Sequence, residues 1–298
     1  MSRASPRVRE WVIEASGPRT IDAVLAALGD PGALDAGRVA LDGRRVDRST
    51  RALVPGDRIE VYAPRAIVDE PAVLAEHAGF VVAFKPPELS TEPDRTGSGA
   101  SLSRWLAREL GIGERELHAV SRLDVGVSGA VLFARTRTAR RRAAKGHSRR
   151  YVALLSQGPE PATGIWTCAI DGRPARTRFD GLARADALVL PDGAACQPAL
   201  VALDPETGRT HQLRIHAARA GAPILGDRAH GGPRRLIRAD GRVVEAARVA
   251  LHALRVVIPD GPAVVAPLPA DLLSLWQELG GEDRDWSRAD DVARWSDP

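Results

Sequence analysis

The chain has 298 residues, long enough for one large domain and a small accessory one, and 44% of them are hydrophobic, enough to fill a core. Its 42 Lys+Arg against 38 Asp+Glu leave a net charge of only +4, which is compatible with a polyanionic partner without demanding one. Two cysteines without Cys-x-x-Cys spacing argue against a disulfide framework and a structural zinc; with neither an apolar run of membrane-span length nor an apolar secretory leader, the cytosol is the expected compartment.

Residues 1–65 read as one small unit. Ile21, Val24, Leu25 and Leu28 fall on a single face of a predicted helix that stops at Gly29. Alternating apolar positions over 37–46 around an Asp42-Gly43 turn, then Pro55-Gly56-Asp57 entering Arg58-Ile59-Glu60-Val61, predict a small β segment. This order resembles the alpha-L RNA-binding module, with its G-x-V-x-(V/L)-(N/D)-G and PGD-x-I pattern. The resemblance implies an α+β RNA-binding-like domain, although Asp22 and Asp30 dilute the basic face usual for its first helix.

Residues 66–78, with Pro71 and the acidic Asp69-Glu70, read as a linker. A second unit over 79–280 opens with the apolar run 80–84, a Lys85-Pro86 turn and a polar loop over 89–100. Leu102, Trp105, Leu106 and Leu110 then mark a helix face. Short β runs at 130–134, 151–155, 164–170, 199–203 and 248–258, with few helices between them, predict an α+β fold on a mixed, largely antiparallel sheet. A last helix enters at Pro269, turns Leu272, Leu275, Trp276 and Leu279 inward and stops at Gly280; residues 281–298 are expected to form a charged, loose tail that Trp286 and Trp295 could dock.

Two blocks carry the chemistry. In Ser121-Arg122-Leu123-Asp124-Val125-Gly126-Val127-Ser128-Gly129, a carboxylate stands on a glycine-softened loop just before a buried strand, where a side chain is held on a rigid margin. In 207–216, Thr-Gly-Arg-Thr-His-Gln-Leu-Arg-Ile-His precedes Gly221-Ala222-Pro223-Ile224-Leu225-Gly226-Asp227. The first resembles the (H)RLD-x-x-(T)SG motif of RluA-type pseudouridine synthases and the second their GRTHQIR-x-H…G-x-PI-x-GD block. Weaker echoes are Arg150-Tyr151-Val152-Ala153-Leu154, similar to the K-x-Y-x-A strand, and Leu251-His252-Ala253. The family's histidine before Arg122 is Ser121 here, and its threonine before Ser128 is Val127.

The resemblance implies a pseudouridine synthase catalytic domain and an isomerase that breaks the N-glycosidic bond of a uridine, turns the freed base and rejoins it through carbon. Asp124 would be nucleophile at the sugar or base for an elimination, Arg214 the cation paired with it, Tyr151 the ring against the uracil, and Leu213 part of the base pocket. Arg122 would fill the gap left by the flipped nucleotide, as a planar guanidinium can. Arg209, His211 and Gln212 would touch RNA, and Arg150 would keep the positive charge beside Tyr151. A five-residue spacing suits His211 and His216 poorly for one metal ion, so they are expected to hydrogen-bond around the site, whereas His118, His147 and His230 are expected in loops or on the surface.

The resemblance implies no metal or other cofactor and RNA as the partner. The appended module favours large-subunit ribosomal RNA over transfer RNA; a non-catalytic RNA-binding or ribosome-assembly factor on the same fold is the competing class, and a monomer is the default state. The run Arg135, Arg137, Arg140, Arg141, Arg142, Lys145, Arg149 and Arg150, just past the Asp124 loop, is where a polyanion is expected.

Overall fold

A computed structural model describes residues 8–34, 39–42, 44–46, 52–62, 70–93, 100–144 and 147–290. The chain divides into two compact units, Met1–Arg65 with Gly281–Pro298, and Ala66–Gly280. In the first unit lie β1 (Val8–Val12), α1 (Ile21–Ala27), β2 (Val39–Leu41), β3 (Arg44–Arg45) and β4 (Arg58–Tyr62), with the strands ordered β1-β4-β2-β3. Thr20 caps α1 by accepting from the Ala23 amide, and Ile21, Val24 and Leu25 pack with Val39, Leu41, Ile59 and Val61. Gly37, Gly43 and Trp295, which the sequence reading uses, lie outside the described residues.

In the second unit, β5 (Ala72–His77) and β6 (Phe80–Lys85) are followed by α2 (Leu102–Leu110), β7 (His118–Ala119), β8 (Ser128–Ala134), α3 (Arg137–Ala143) and β9 (Arg149–Leu155). Then come β10 (Thr163–Thr167), β11 (Arg176–Arg184), β12 (Leu188–Val189), β13 (Ala195–Cys196), β14 (Ala199–Pro205), α4 (Gln212–Arg219), β15 (Arg235–Ile237), β16 (Val243–Glu245), β17 (Leu251–Val257), β18 (Ala263–Val265) and α5 (Ala270–Glu278). The large sheet runs β10-β11-β14-β9-β17-β8-β6-β5, with β7 on β8 and β18 on β17. It is a mixed α+β sheet, antiparallel except where β17 and β8 run parallel. Strands β6 and β8 sit deep in this sheet and are buried along their whole length, which is why they read as unbroken apolar runs and not as alternation.

Register fixes where function can be mounted. Leu203 lies opposite Tyr151, Tyr151 opposite Ala253, Ala253 opposite Gly129, and Gly129 opposite Lys85, so one row crosses five strands. Gly129 has φ +123°, and a Cβ there would come within 2.3 Å of the Ala253 carbonyl oxygen. Only glycine lets β8 and β17 close at that point, which carries the loop before β8 to the level of Tyr151.

Two boundaries differ from the sequence reading. Residues 72–77, placed there in a linker, pair with β6 as the strand at the sheet's edge. Residues 283–290 form a 3-10 helix in which Trp286 is buried, because one large aromatic outweighs the surrounding charges that suggested a loose tail. A 66–280 fragment is therefore expected to be soluble with one cooperative melt, whereas a 66–298 fragment, carrying Trp286 without residues 1–65, is expected to bind a hydrophobic dye and aggregate. Thermal scans of the two fragments check this, and equal behaviour would contradict the shared unit.

Candidate active site

Asp124 stands on the loop between β7 and β8, and its neighbours are tied down almost atom by atom. Thr91 Oγ1 donates to the Leu123 carbonyl at 2.8 Å and accepts from the Leu123 amide at 3.0 Å. Lys85 Nζ donates to the carbonyls of Pro86, Leu89 and Val125 at 2.9, 2.7 and 3.1 Å, and the Glu88 amide also donates to Val125. Arg248 Nη1 reaches the Gly126 carbonyl at 3.2 Å, and the Val127 amide closes a turn onto the Asp124 carbonyl at 3.0 Å. A loop so held presents its carboxylate in one place. Lys85 is fully buried; burial, and after it the Arg248 charge, push its pKa down to about 7 against the opposing pull of Asp124 and Glu88.

The partner of Asp124 comes from α4. Arg214 Nη1 donates to Asp124 Oδ2 at 2.6 Å, while its Nε and Nη2 donate to Asp227 Oδ2 and Oδ1 at 2.7 and 2.6 Å. One guanidinium therefore bridges two carboxylates, a two-bond fork on the fully buried Asp227 and one bond on Asp124, whose side chain is 35% exposed. Burial works against the Arg214 charge, but its hydrogen bonds to Asp227 and Asp124 prevail and raise its pKa above the usual guanidinium value. Asp227 is set by Gly226, whose φ of +76° and lack of Cβ admit the Arg248 carbonyl oxygen at what would be 1.9 Å.

His211 precedes α4 in a left-handed conformation, φ 54°, ψ 22°. Such backbone is sparsely used by residues with a Cβ and clusters at functional sites. It brings His211 Nε2 to 3.6 Å from Asp124 Oδ2, while His211 Nδ1 lies 3.0 Å from His230 Nε2. A cleft of about 950 Å³ opens over this cluster, lined among others by Asp124, Tyr151, Leu213, Arg214, Arg122 and Arg149. Tyr151 is buried at its edge; burial raises the phenol pKa, with Arg149 opposing and Asp124 adding to the shift.

Residues 79–219 match the family model for RNA pseudouridylate synthase. The dual-specificity RNA pseudouridine synthase RluA of Escherichia coli K12 is 32% identical over 223 residues, which cover 67% of this chain and 93% of that protein. The uncharacterized RNA pseudouridine synthase YhcT of Bacillus subtilis is 32% identical over 221 residues, 68% of this chain and 70% of that one. The chain belongs to the RluA-type RNA pseudouridine synthases. Among solved structures, human RNA Pseudouridylate Synthase Domain Containing 1 superposes with a TM-score of 0.53 at 22% identity, over 79% of this chain and 100% of that one, and shares the fold.

In this synthase the cleft gathers Asp124, Tyr151, Arg214, Leu213, Arg122, Arg209 and His211. Arg122 is 72% exposed at the rim, with Glu92 3.8 Å away, and Arg209 Nε donates to the Pro174 carbonyl. Gln212 lines the cleft as well, but its side chain is spent on the protein. It is buried, its oxygen accepts from Thr207 Oγ1 and the Arg209 amide, and its nitrogen donates to the Arg176 carbonyl and Thr177 Oγ1. With both donors and both lone pairs used inside the protein, it braces the loop. His216 is buried against Thr177 Oγ1, away from His211.

The basic segment is also sorted by the fold. Arg135 pairs with Glu76, Arg142 with Asp260 and Arg150 with Asp204, while Arg137, Arg140 and Arg141 are exposed on α3; Lys145 lies outside the described residues. The cation beside Tyr151 is Arg149, not Arg150, because side chains two apart on a strand share a face and adjacent ones do not. The period-two rule could have found it. His147 and His230, expected in loops or on the surface, both adjoin the site: His147 lines the cleft, where burial and then Arg149 hold its pKa down at about 4, and His230 touches His211. Arg150→Ala is expected to cost about 3 kcal/mol of stability by stranding Asp204. Arg149→Ala should leave the melting temperature nearly unchanged and slow turnover. Denaturant melts and single-turnover assays of the two variants separate these roles; a stable, active Arg149→Ala would contradict the assignment.

Proposed function

We propose that Asp124 performs the bond-breaking step of uridine isomerisation, either attacking the sugar or removing a proton to start an elimination, and that large-subunit ribosomal RNA is the substrate. The observation that carries the reading is the Asp124–Arg214–Asp227 bridge at the floor of the cleft. It gives one carboxylate a fixed position, a compensating charge and an open side, which is what a reacting carboxylate needs. Tyr151 supplies a ring face for the uracil and a phenol held in its neutral form, and Leu213 closes the pocket so that the freed base does not diffuse away. Arg122, exposed on the rim two residues before Asp124, has the reach to fill the place of an extruded nucleotide, and Arg209, His211 and Arg149 add positive or polar groups along the path of the strand.

The ribosomal target rests on the small N-terminal unit, which we take as an RNA-contact module. Transfer RNA is the second target to score. The test maps pseudouridines by a pseudouridine-specific chemical treatment in RNA from cells lacking the protein, then from the same cells carrying wild-type protein or Asp124→Asn. Wild type is expected to restore a site in large-subunit ribosomal RNA and Asp124→Asn to restore none while still binding RNA. Restoration by Asp124→Asn would sink the aspartate, and restoration confined to transfer RNA would sink the ribosomal target.

A further inference from the structure

Of the two imidazoles beside Asp124, His211 has so far entered only as a polar group along the path of the strand and His230 has had no part. His211 Nδ1 and His230 Nε2 are 3.0 Å apart with the rings edge to face, and the other His211 nitrogen, Nε2, lies 3.6 Å from Asp124 Oδ2. His230 sits on the short helical turn Arg228–His230, directly after Asp227, so the residue that anchors Arg214 also places His230. The Asp227-to-His230 turn is closed by the His230 amide donating to the Asp227 carbonyl at 3.1 Å.

Two neutral arrangements of the pair are possible, and electrostatics separates them. If His211 Nδ1 carried the proton and donated to His230, the lone pair of His211 Nε2 would face a carboxylate oxygen, which is repulsive. If His230 Nε2 carries the proton and donates to His211 Nδ1, His211 must carry its own proton on Nε2, the nitrogen 3.6 Å from Asp124 Oδ2. The second arrangement is the attractive one. Burial, ahead of the counteracting Asp227 charge and with the Arg214 charge assisting, holds the His230 pKa below the ordinary histidine value, which favours its neutral ring.

Arg214 also donates to Oδ2, so both polar contacts of the Asp124 carboxylate among the described residues fall on the same oxygen. We propose that His230 is a positioning residue for the isomerisation: by donating to His211 it turns the His211 Nε2–H onto Asp124 Oδ2, leaving Oδ1 as the oxygen that meets the ribose. This rests on the reading of Asp124 as the reacting carboxylate. His230 itself touches neither the sugar nor the base; it acts through the tautomer of His211.

The test uses the full-length protein as wild type, His230→Phe and His230→Gln, with ¹⁵N shifts of His211, single-turnover rates on saturating RNA, and RNA affinity. His211 is expected as the Nε2–H tautomer in wild type and to lose that preference in His230→Phe, with the rate falling about tenfold and affinity unchanged. His230→Gln, whose amide can still donate to Nδ1, should restore both tautomer and rate. A wild-type His211 protonated on Nδ1, a His230→Phe loss under about threefold, or a His230→Gln as slow as His230→Phe would each overturn the proposal. If His230→Phe fails to fold, the tautomer and rate of His230→Gln against wild type decide it. The tautomer is read in the free protein, so it stands or falls separately from the role of Asp124.

Discussion

A single guanidinium shared between a buried carboxylate and a half-open one organises the catalytic end of this protein. Arg214 is 9% exposed, and Asp227 is wholly buried. Taking such charges out of water is expensive, and their attraction offsets that cost only with near-ideal geometry. The fork on Asp227 provides it, and of the three N–H groups it leaves on Arg214 one, on Nη1, donates to Asp124. The buried pair thus positions a third group that must stay accessible. Asp227 in turn depends on Gly226, and Asp124 on Lys85, Thr91 and Arg248, so backbone packing and side-chain charge specify the same point from two directions.

The sheet supplies the frame for that point. The row from Leu203 through Tyr151, Ala253 and Gly129 to Lys85 joins strands far apart in sequence, and the Asp124 loop, the Tyr151 ring and the Lys85 ammonium all attach to it or beside it. The close approach at Gly129 makes the row possible. The left-handed backbone at His211 belongs to the same economy: strain held by the packing of α4 aims one imidazole at the carboxylate.

Much of this was legible beforehand, for identifiable reasons. Central strands β6 and β8 are buried on both faces and announce themselves as apolar runs, and α2 and α5 show their inward stripes at helical spacing. Strand β11 escaped notice because Thr177, Phe179 and Leu182 alternate inward between charged residues and a bulge at Gly181 shifts the period. The motifs carried Asp124, Tyr151 and Arg214 to one cleft, but they are silent about which hydrogen bonds each neighbour has already spent. Gln212 looks like an RNA donor in sequence and is saturated in the fold; Arg150 looks like the cation beside Tyr151 and is turned to Asp204. Asp227 closes the second motif, but its fork with Arg214 and the contact of His230 with His211 depend on how the fold brings those segments together.

The most direct measurement is the single-turnover rate of Asp227→Asn on saturating RNA, because the Asp227 carboxylate is wholly buried and both its oxygens accept from Arg214. The substitution keeps the size of the side chain and removes the charge that holds the fork. The account predicts a protein that still folds and binds RNA with its affinity within about threefold of wild type, but isomerises uridine about a hundredfold more slowly. A folded Asp227→Asn protein turning over near the wild-type rate would contradict the claim that the shared guanidinium positions Asp124.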